Sequence, residues 1–302
     1  MDAADRDLFE RSIAGATEKH DGAALDAALE RLGWRDALAA DARDAVTILF
    51  EQQGAANRAS SALDAVVGGM LLPGLGQWCA PGALDGDQLV IDGLALAHGD
   101  RLLVVAPSDG KDVAVSVATA DVEVRPMSGV DPGLGVFQVR GHVAVTDPQP
   151  VDWSVAVASG QRALAHELVG ASRQMLALAR EHALERVQFG QPIAMFQAVR
   201  HRLAETLVAI ETADAGLAAA WDDGSAATAA MAKALAGRGA RIAARHCQQV
   251  LAGIGFTTEH PLHRYIRRVL VLDQLFGSAK ALTRELGDAL IASRQLPPLL
   301  PL

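Results

Sequence analysis

An α+β chain is predicted: a helical region, then a small middle β-sheet or barrel, then an antiparallel four-helix bundle. Three observations carry this. Apolar residues recur at three- and four-residue steps as far as Pro73. Short β-branched runs with a period of two then occupy Gly74 to about Pro150, and the helical period returns after Val151 and persists. These changes of period set the expected divisions at 1–73, 74–150 and 151–302.

In the first region, Asp5-Leu8-Phe9-Ile13 and Leu25-Leu29-Leu32 follow the helical step. Asp41 is placed to cap a helix through Val46, Ile48, Leu49 and Phe50, and Pro73-Gly74 breaks the pattern. In the second region, strands are expected at Gln88–Ile91, Arg101–Val105, Val113–Val117, Val122–Val124 and Val136–Val139. Asp85-Gly86, Asp92-Gly93, His98-Gly99-Asp100 and Asp109-Gly110 separate them, which suits antiparallel pairing. In the third region, amphipathic patterns cover Val157 to about Val187, Ala194 to about Trp221, Ser225 to about Leu251, and His263 to about Ser293. Ser225 is expected to cap the third, and Pro297-Pro298 to end the fourth. Four long helices with short links make an antiparallel bundle.

Half of the 302 residues are apolar and only 4 % are aromatic, so the core must be built mainly from Ala, Leu and Val. That composition favours closely packed helices. With 27 basic and 36 acidic side chains the net charge is −9, which argues against nucleic-acid binding. One small basic run, Arg264, Arg267 and Arg268, goes against the total. Cys79 and Cys247 lie too far apart in sequence for a disulfide framework or a zinc spacing, and read as reduced thiols. The start Met1-Asp2-Ala3-Ala4-Asp5 lacks a basic segment, and no apolar run is long enough to span a bilayer. A soluble, cytoplasmic protein without a membrane partner is the expectation.

Two stretches carry the chemistry. Glu185-Arg186-Val187-Gln188-Phe189-Gly190-Gln191-Pro192-Ile193, followed by Phe196-Gln197, ends one helical pattern and opens the next. Gln249-Val250-Leu251-Ala252-Gly253-Ile254-Gly255-Phe256 ends a third. A guanidinium offers a planar fork of donors that matches phosphate oxygens, Gln188 and Gln197 add neutral donors, and Phe189 can pack on a ring. Gly253 and Gly255 let a backbone approach a ligand without a Cβ clash. Taken singly, Arg186 also reads as a solvated charge at a helix C-terminus, and the glycines as a helix C-cap. Together the two stretches suit the pyrophosphate and adenosine of a dinucleotide. His260 and His263 lack metal spacing and read as surface or capping residues, so no metal is expected. Glu181 and Glu185, one turn apart, belong to an exposed face.

The second half resembles the C-terminal bundle of the acyl-CoA dehydrogenases. In that family Ala-Leu-Glu-Arg-x-x-Phe-Gly-x-x-Ile, then Phe/His-Gln, then Gln-x-Leu-Gly-Gly-x-Gly-Phe-x-x-Glu-x-Pro recur in this order. Here they stand as Ala183 to Ile193, Phe196-Gln197, and Gln249 to Pro261. Ala252 takes the place of the first glycine. The match runs from about Val157 to Leu290. The order of helices, sheet and helices suits an acyl-CoA dehydrogenase-like fold throughout, with the first two regions shorter than usual. The resemblance implies FAD as cofactor. It also implies that Arg186, Gln188, Phe189, Gln197, Gln249 and Gly253 grip the pyrophosphate and adenosine of a flavin whose ring sits in a neighbouring subunit.

The family's reaction removes a proton α to a thioester carbonyl and passes hydride from the β carbon to the flavin. Its base is a glutamate in Tyr-Glu-Gly-Thr, or in some members a glutamate on the first bundle helix. The matching positions here are Phe276, in Leu275-Phe276-Gly277-Ser278, and Gly160, so no catalytic residue is assigned. Asp273 and Glu167 are the carboxylates open as substitute bases, against the ordinary reading of a helix carboxylate as a solvated charge. The Thr-Glu-x-x-x-Gly-Ser-Asp loop and Trp-x-Thr/Ser strand that cover the flavin ring are missing, with Gln77-Trp78-Cys79-Ala80-Pro81-Gly82 the nearest stretch. What remains is the half of the site that a subunit lends to its neighbour. The expectation is therefore the non-catalytic subunit of a heterotetramer that dehydrogenates an acyl-CoA substrate, resembling those acting on steroid side-chain CoA thioesters, with the base on a second dehydrogenase subunit. A non-redox homo-oligomeric scaffold or acyl-CoA-binding protein, and an autonomous dehydrogenase with an atypical base, are the rival readings.

Overall fold

The computed structural model describes residues 1–71, 82–95, 100–127, 129–145 and 147–294. The expected breaks at Pro73-Gly74, His98-Gly99 and Pro297-Pro298, and the thiol Cys79, lie outside these residues. The first region folds into α1 (Ala3–Lys19), α2 (Ala23–Arg31), α3 (Trp34–Ala40), α4 (Ala42–Ala56) and α5 (Ala62–Leu71). Asp41 caps α4 as expected, accepting the Asp44 N–H at 3.1 Å. Ile13, Leu25, Leu29, Val46, Leu49 and Phe50 turn inward, whereas Leu8 and Leu32 remain exposed.

The middle region is two small antiparallel sheets rather than one. β1 (Ala83–Asp85), β2 (Gln88–Ala95), β5 (Glu123–Pro126) and β6 (Phe137–Ala144) form the first, in the order β1-β2-β6-β5. β3 (Arg101–Ser108), β4 (Lys111–Ala118) and β7 (Gln149–Val151) form the second, in the order β3-β4-β7. Leu89, Ile91, Val104, Val115 and Val139 share the core between them. β3 is buried on both faces. Its even-numbered side chains, Leu102, Val104 and Ala106, join the sheet core, while Leu103 and Val105 join the helical core. The alternation along one strand thus docks the β unit on the helices.

After Val151 come α6 (Trp153–Glu185), the hairpin β8 (Val187–Gln188) and β9 (Gln191–Pro192), α7 (Gln197–Asp223), α8 (Ala226–Leu251), α9 (Leu262–Gln274) and α10 (Ala279–Ser293). Ser225 caps α8, its hydroxyl accepting the Thr228 N–H at 3.2 Å. Two expectations are corrected. The fourth bundle segment is two helices, because Phe276 and Gly277 take positive φ (53° and 97°) and Ser278 starts a new helix as its cap. And α6 is not amphipathic along its whole length, since Ala158 to Ser172 is buried on every side. The reason is glycine. A Cβ on Gly170 would lie 2.1 Å from the Glu51 carbonyl oxygen, and one on Gly54 2.1 Å from that of Glu167. α4 and α6 therefore cross at backbone contact, and the N-terminal helices close over the side of α6 that would otherwise face water.

Among the described residues no helix is long and apolar enough to cross a membrane.

Candidate functional site

α6, α7 and α8 run up, down and up, so α6 and α8 end at the same end of the bundle. That brings the two sequence motifs to one surface. His260, just beyond the second motif, lies close enough to Glu181 and His182 of α6 to feel their charges, and burial with the neighbouring His182 lowers its pKa. His260 acts as a cap, its Nδ1 accepting the Leu262 N–H at 3.2 Å.

Arg186 is the C-cap of α6, its N–H donating to the His182 carbonyl at 2.9 Å and its carbonyl accepting the Ile193 N–H at 2.8 Å. Its backbone is thereby fixed while its side chain is exposed, with no ion pair or hydrogen bond among the described residues. The hairpin that follows turns on Phe189 and Gly190, both at positive φ (54° and 81°). The turn holds the Phe189 ring 92 % exposed, edge-on to Phe196 with centroids 6.1 Å apart. Gln188 is exposed and donates to its neighbour's carbonyl, Val187 O, at 2.8 Å. Gln197 opens α7 and Gln249 lies in the last turn of α8, both exposed. Gly253 is exposed, and a Cβ there would meet nothing within 4 Å in this chain. Ala252, in the place of the family's first glycine, holds φ +52° and ψ −130°.

The donor set therefore fits the phosphates and adenosine of FAD. A charged fork and three amides are exposed, the Gly253 backbone is open to approach, and Phe189 and Phe256, the latter 72 % exposed, offer rings to the surface. An apolar groove of about 450 Å³ adjoins this end, between Leu176, Leu184, Met195, Leu203 and Leu207.

The two positions for a base lie elsewhere and face each other. A Cβ on Gly160 of α6 would lie 2.9 Å from the Phe276 ring and 3.0 Å from Val67. Phe276 also packs on Trp153, with centroids 6.1 Å apart. Gln161 Nε2 donates to the Phe276 carbonyl at 3.0 Å, and Lys233 Nζ donates to the carbonyls of Asp273 and Gly277 at 3.1 and 3.3 Å. Burial pushes the Lys233 ammonium down to about 8. The loop is thus held from both sides with an aromatic ring, not a proton acceptor, in its centre.

Glu167 and Asp273 are corrected from solvated charges to buried ones. Asp273 accepts from Arg241 Nε and Nη2 at 2.8 and 2.6 Å and from the Ala279 N–H at 3.0 Å. Glu167 accepts from Gln53 Nε2 at 3.1 Å and Arg268 Nη1 at 3.4 Å, and burial raises its carboxyl to about 7. Arg268 is itself buried, bonded to Asp131 and the Arg58 carbonyl, so the run Arg264, Arg267, Arg268 is not a surface patch. Sequence reasoning also missed Lys233. Its signal was an ammonium set among small residues at neighbouring helical steps, Ala229, Ala230, Ala236 and Gly237. Glu181 and Glu185 are exposed. Among the described residues no three His, Cys, Asp or Glu side chains are grouped to hold a metal. Cys247 is buried, which raises its thiol to about 12.

Helical bundle, β unit and helical cap together are the acyl-CoA dehydrogenase fold. The chain superposes on the Tcur3481-Tcur3483 steroid ACAD with a TM-score of 0.78 at 21 % identity, over 96 % of each chain. It superposes on the ChsE4-ChsE5 complex from Mycobacterium tuberculosis with 0.76 at 19 %, over 99 % of each. Residues 156–291 match the model of the acyl-CoA dehydrogenase C-terminal domain. The chain is 33 % identical over 199 residues to acyl-CoA dehydrogenase IpdE2 of M. tuberculosis, and 37 % over 191 residues to acyl-CoA dehydrogenase FadE34 of the same organism. These stretches are 66 % and 59 % of this chain, and span 60 % and 26 % of the two relatives. Residues 156–291 are thus an acyl-CoA dehydrogenase C-terminal domain, and the chain as a whole shares the fold of the acyl-CoA dehydrogenases.

Proposed function

We propose that this chain is a subunit of an FAD-dependent acyl-CoA dehydrogenase that completes the flavin site of a second, catalytic dehydrogenase subunit. The single observation that carries the reading is a division of the molecule. Phosphate and ring donors stand outward at one end of the bundle, while the positions of the family's base are filled by Phe276 on Gly160. Bound FAD supplies the hydride acceptor for α,β-dehydrogenation of an acyl-CoA thioester. Arg186 forks onto a phosphate, Gln188, Gln197 and Gln249 orient the nucleotide, Gly253 lets it approach, and Phe189 covers it. The adjoining apolar groove gives the partner subunit a dry surface on which to seat. Two of the similar solved structures bear on the reading: one is a ChsE4-ChsE5 complex and another a steroid ACAD. They favour a heterotetramer and a steroid side-chain CoA thioester as substrate.

Coexpression with a second acyl-CoA dehydrogenase chain tests it. A yellow complex that turns over substrate is expected, with neither property in this chain alone. Arg186→Ala removes a charged fork worth about 1.5–3 kcal/mol and should weaken FAD retention roughly 10- to 100-fold. Unchanged flavin content in the mutant complex, or a yellow homo-oligomer that reduces a dye, overturns the reading.

A further inference from the structure

His260 stands where the second motif meets the end of α6, and it is not among the residues assigned to the flavin. It fills the open position of Glu259-x-Pro261, where the family pattern names no residue. Pro261 has no N–H, so the first main-chain donor of α9 is the Leu262 N–H. Leu262 is fully buried in the helical core, and a buried N–H without an acceptor is costly. His260 Nδ1 supplies that acceptor at 3.2 Å. A ring that accepts at Nδ1 is neutral and carries its proton on Nε2. An imidazolium donates from both nitrogens and accepts at neither, so one added proton removes the cap. Four residues, Thr257 to His260, separate the cap from the short turn Ala252–Phe256. The start of α9 therefore anchors the turn that presents Gly253.

We infer that His260 is a positioning residue that ties the second motif to the end of α6 while neutral and releases it when protonated. The charged and titratable groups that act on the ring are Glu181 and His182 of α6 and His263 of α9. Burial and then His182 hold its pKa below the ordinary imidazole value, against the opposing pull of Glu181. His182 is lowered in the same way, by burial and by Arg186, whose N–H its carbonyl accepts at 2.9 Å. In acid the two rings take up charge side by side, and like charges press α6 and the start of α9 apart. The stabilisation is complete above about pH 6.5 and is lost as pH falls below it, because the unfolded ring takes its proton before the folded one does. The consequence for flavin rests on the proposed function. Acid loosens the tie between the two motifs, yet it also adds positive charge near the Arg186 fork. These effects on a bound pyrophosphate are opposite in sign, and the tie predicts weaker retention.

Hydrogen exchange of the full chain, corrected for the intrinsic rate, reads the tie without any flavin. Protection of the Leu262 amide should fall about tenfold or more between pH 7.5 and pH 5, while the Ala240 amide in the middle of α8 keeps its own. His260→Asn retains an acceptor that does not titrate, and should hold protection at both pH values. His260→Ala lacks the acceptor and should show the low value at both. In the coexpressed complex, FAD retention should weaken in acid, and in His260→Asn it should not. Several results overturn the inference: protection that ignores pH in the unaltered chain, the same pH dependence in His260→Asn, full protection in His260→Ala, or an equal loss at Ala240. So does tighter FAD retention in acid, which would make the added charge rather than the tie decisive. A complex without flavin, together with the expected exchange pattern, would instead refute the proposed function and leave the tie in place.

Discussion

Ala252 shows how one residue departs from a family pattern at a measurable cost. Its φ of +52° with ψ −130° is a conformation that glycine adopts freely and a Cβ opposes. Ala252→Gly should therefore raise the unfolding free energy by about 1 kcal/mol, read from the denaturant midpoint at constant slope. No change or a loss would show that the strain is relieved elsewhere. Phe189 bears the same kind of strain, and its ring is left in water where burial would have been favourable. Both residues were singled out by type and position in the sequence. Their backbone angles were not legible there, because φ is set by the hairpin and by the way α8 ends.

Among the elements, the α4–α6 crossing positions everything else. Gly170→Ala puts a methyl group into the Glu51 carbonyl, and the backbones must separate. A loss of about 3 kcal/mol or more is expected by chemical denaturation, against a gain of up to about 1 kcal/mol for Gly287→Ala, where a Cβ meets nothing within 4 Å. A gain at both sites would mean that helix propensity, which favours alanine over glycine, outweighs the crossing. The period of the sequence located the bundle helices to within a few residues. It did not reveal the break between α9 and α10, since Leu272, Leu275, Phe276 and Leu282 continue an apolar rhythm through it. Gly277-Ser278 was the only local sign. Nor did it separate the two sheets, because short β-branched runs read alike whichever sheet they join.

Across the whole molecule, Arg268 links the regions. It joins Glu167 of α6, Asp131 before β6 and the Arg58 carbonyl after α4 in one buried network. Burial raises the Glu167 carboxyl from its ordinary range to about 7, so the folded chain holds a proton that the unfolded chain releases. The stability this contributes is fully present below about pH 4.5 and is lost as pH rises towards 7. Glu167→Gln should flatten that part of the stability profile, measured by denaturant unfolding at pH 5 and pH 7.5. An unaltered slope would assign the pH dependence to other groups. Glu167 and Asp273 were misjudged from sequence because a lone carboxylate on a helix is ordinarily solvated, and their counter-ions come from distant segments.

Periodicity alone determined the order of helices, sheet and bundle, and the spacing of Arg186, Gln197, Gln249 and Gly253 pointed to the family, because those signals are local and repeat at the pitch of one element. Only the tertiary structure decided which polar groups are buried, that Phe276 closes on Gly160, and that His260 stands beside His182. Each of these depends on which surfaces meet, and a chain does not carry that information in any one of its segments.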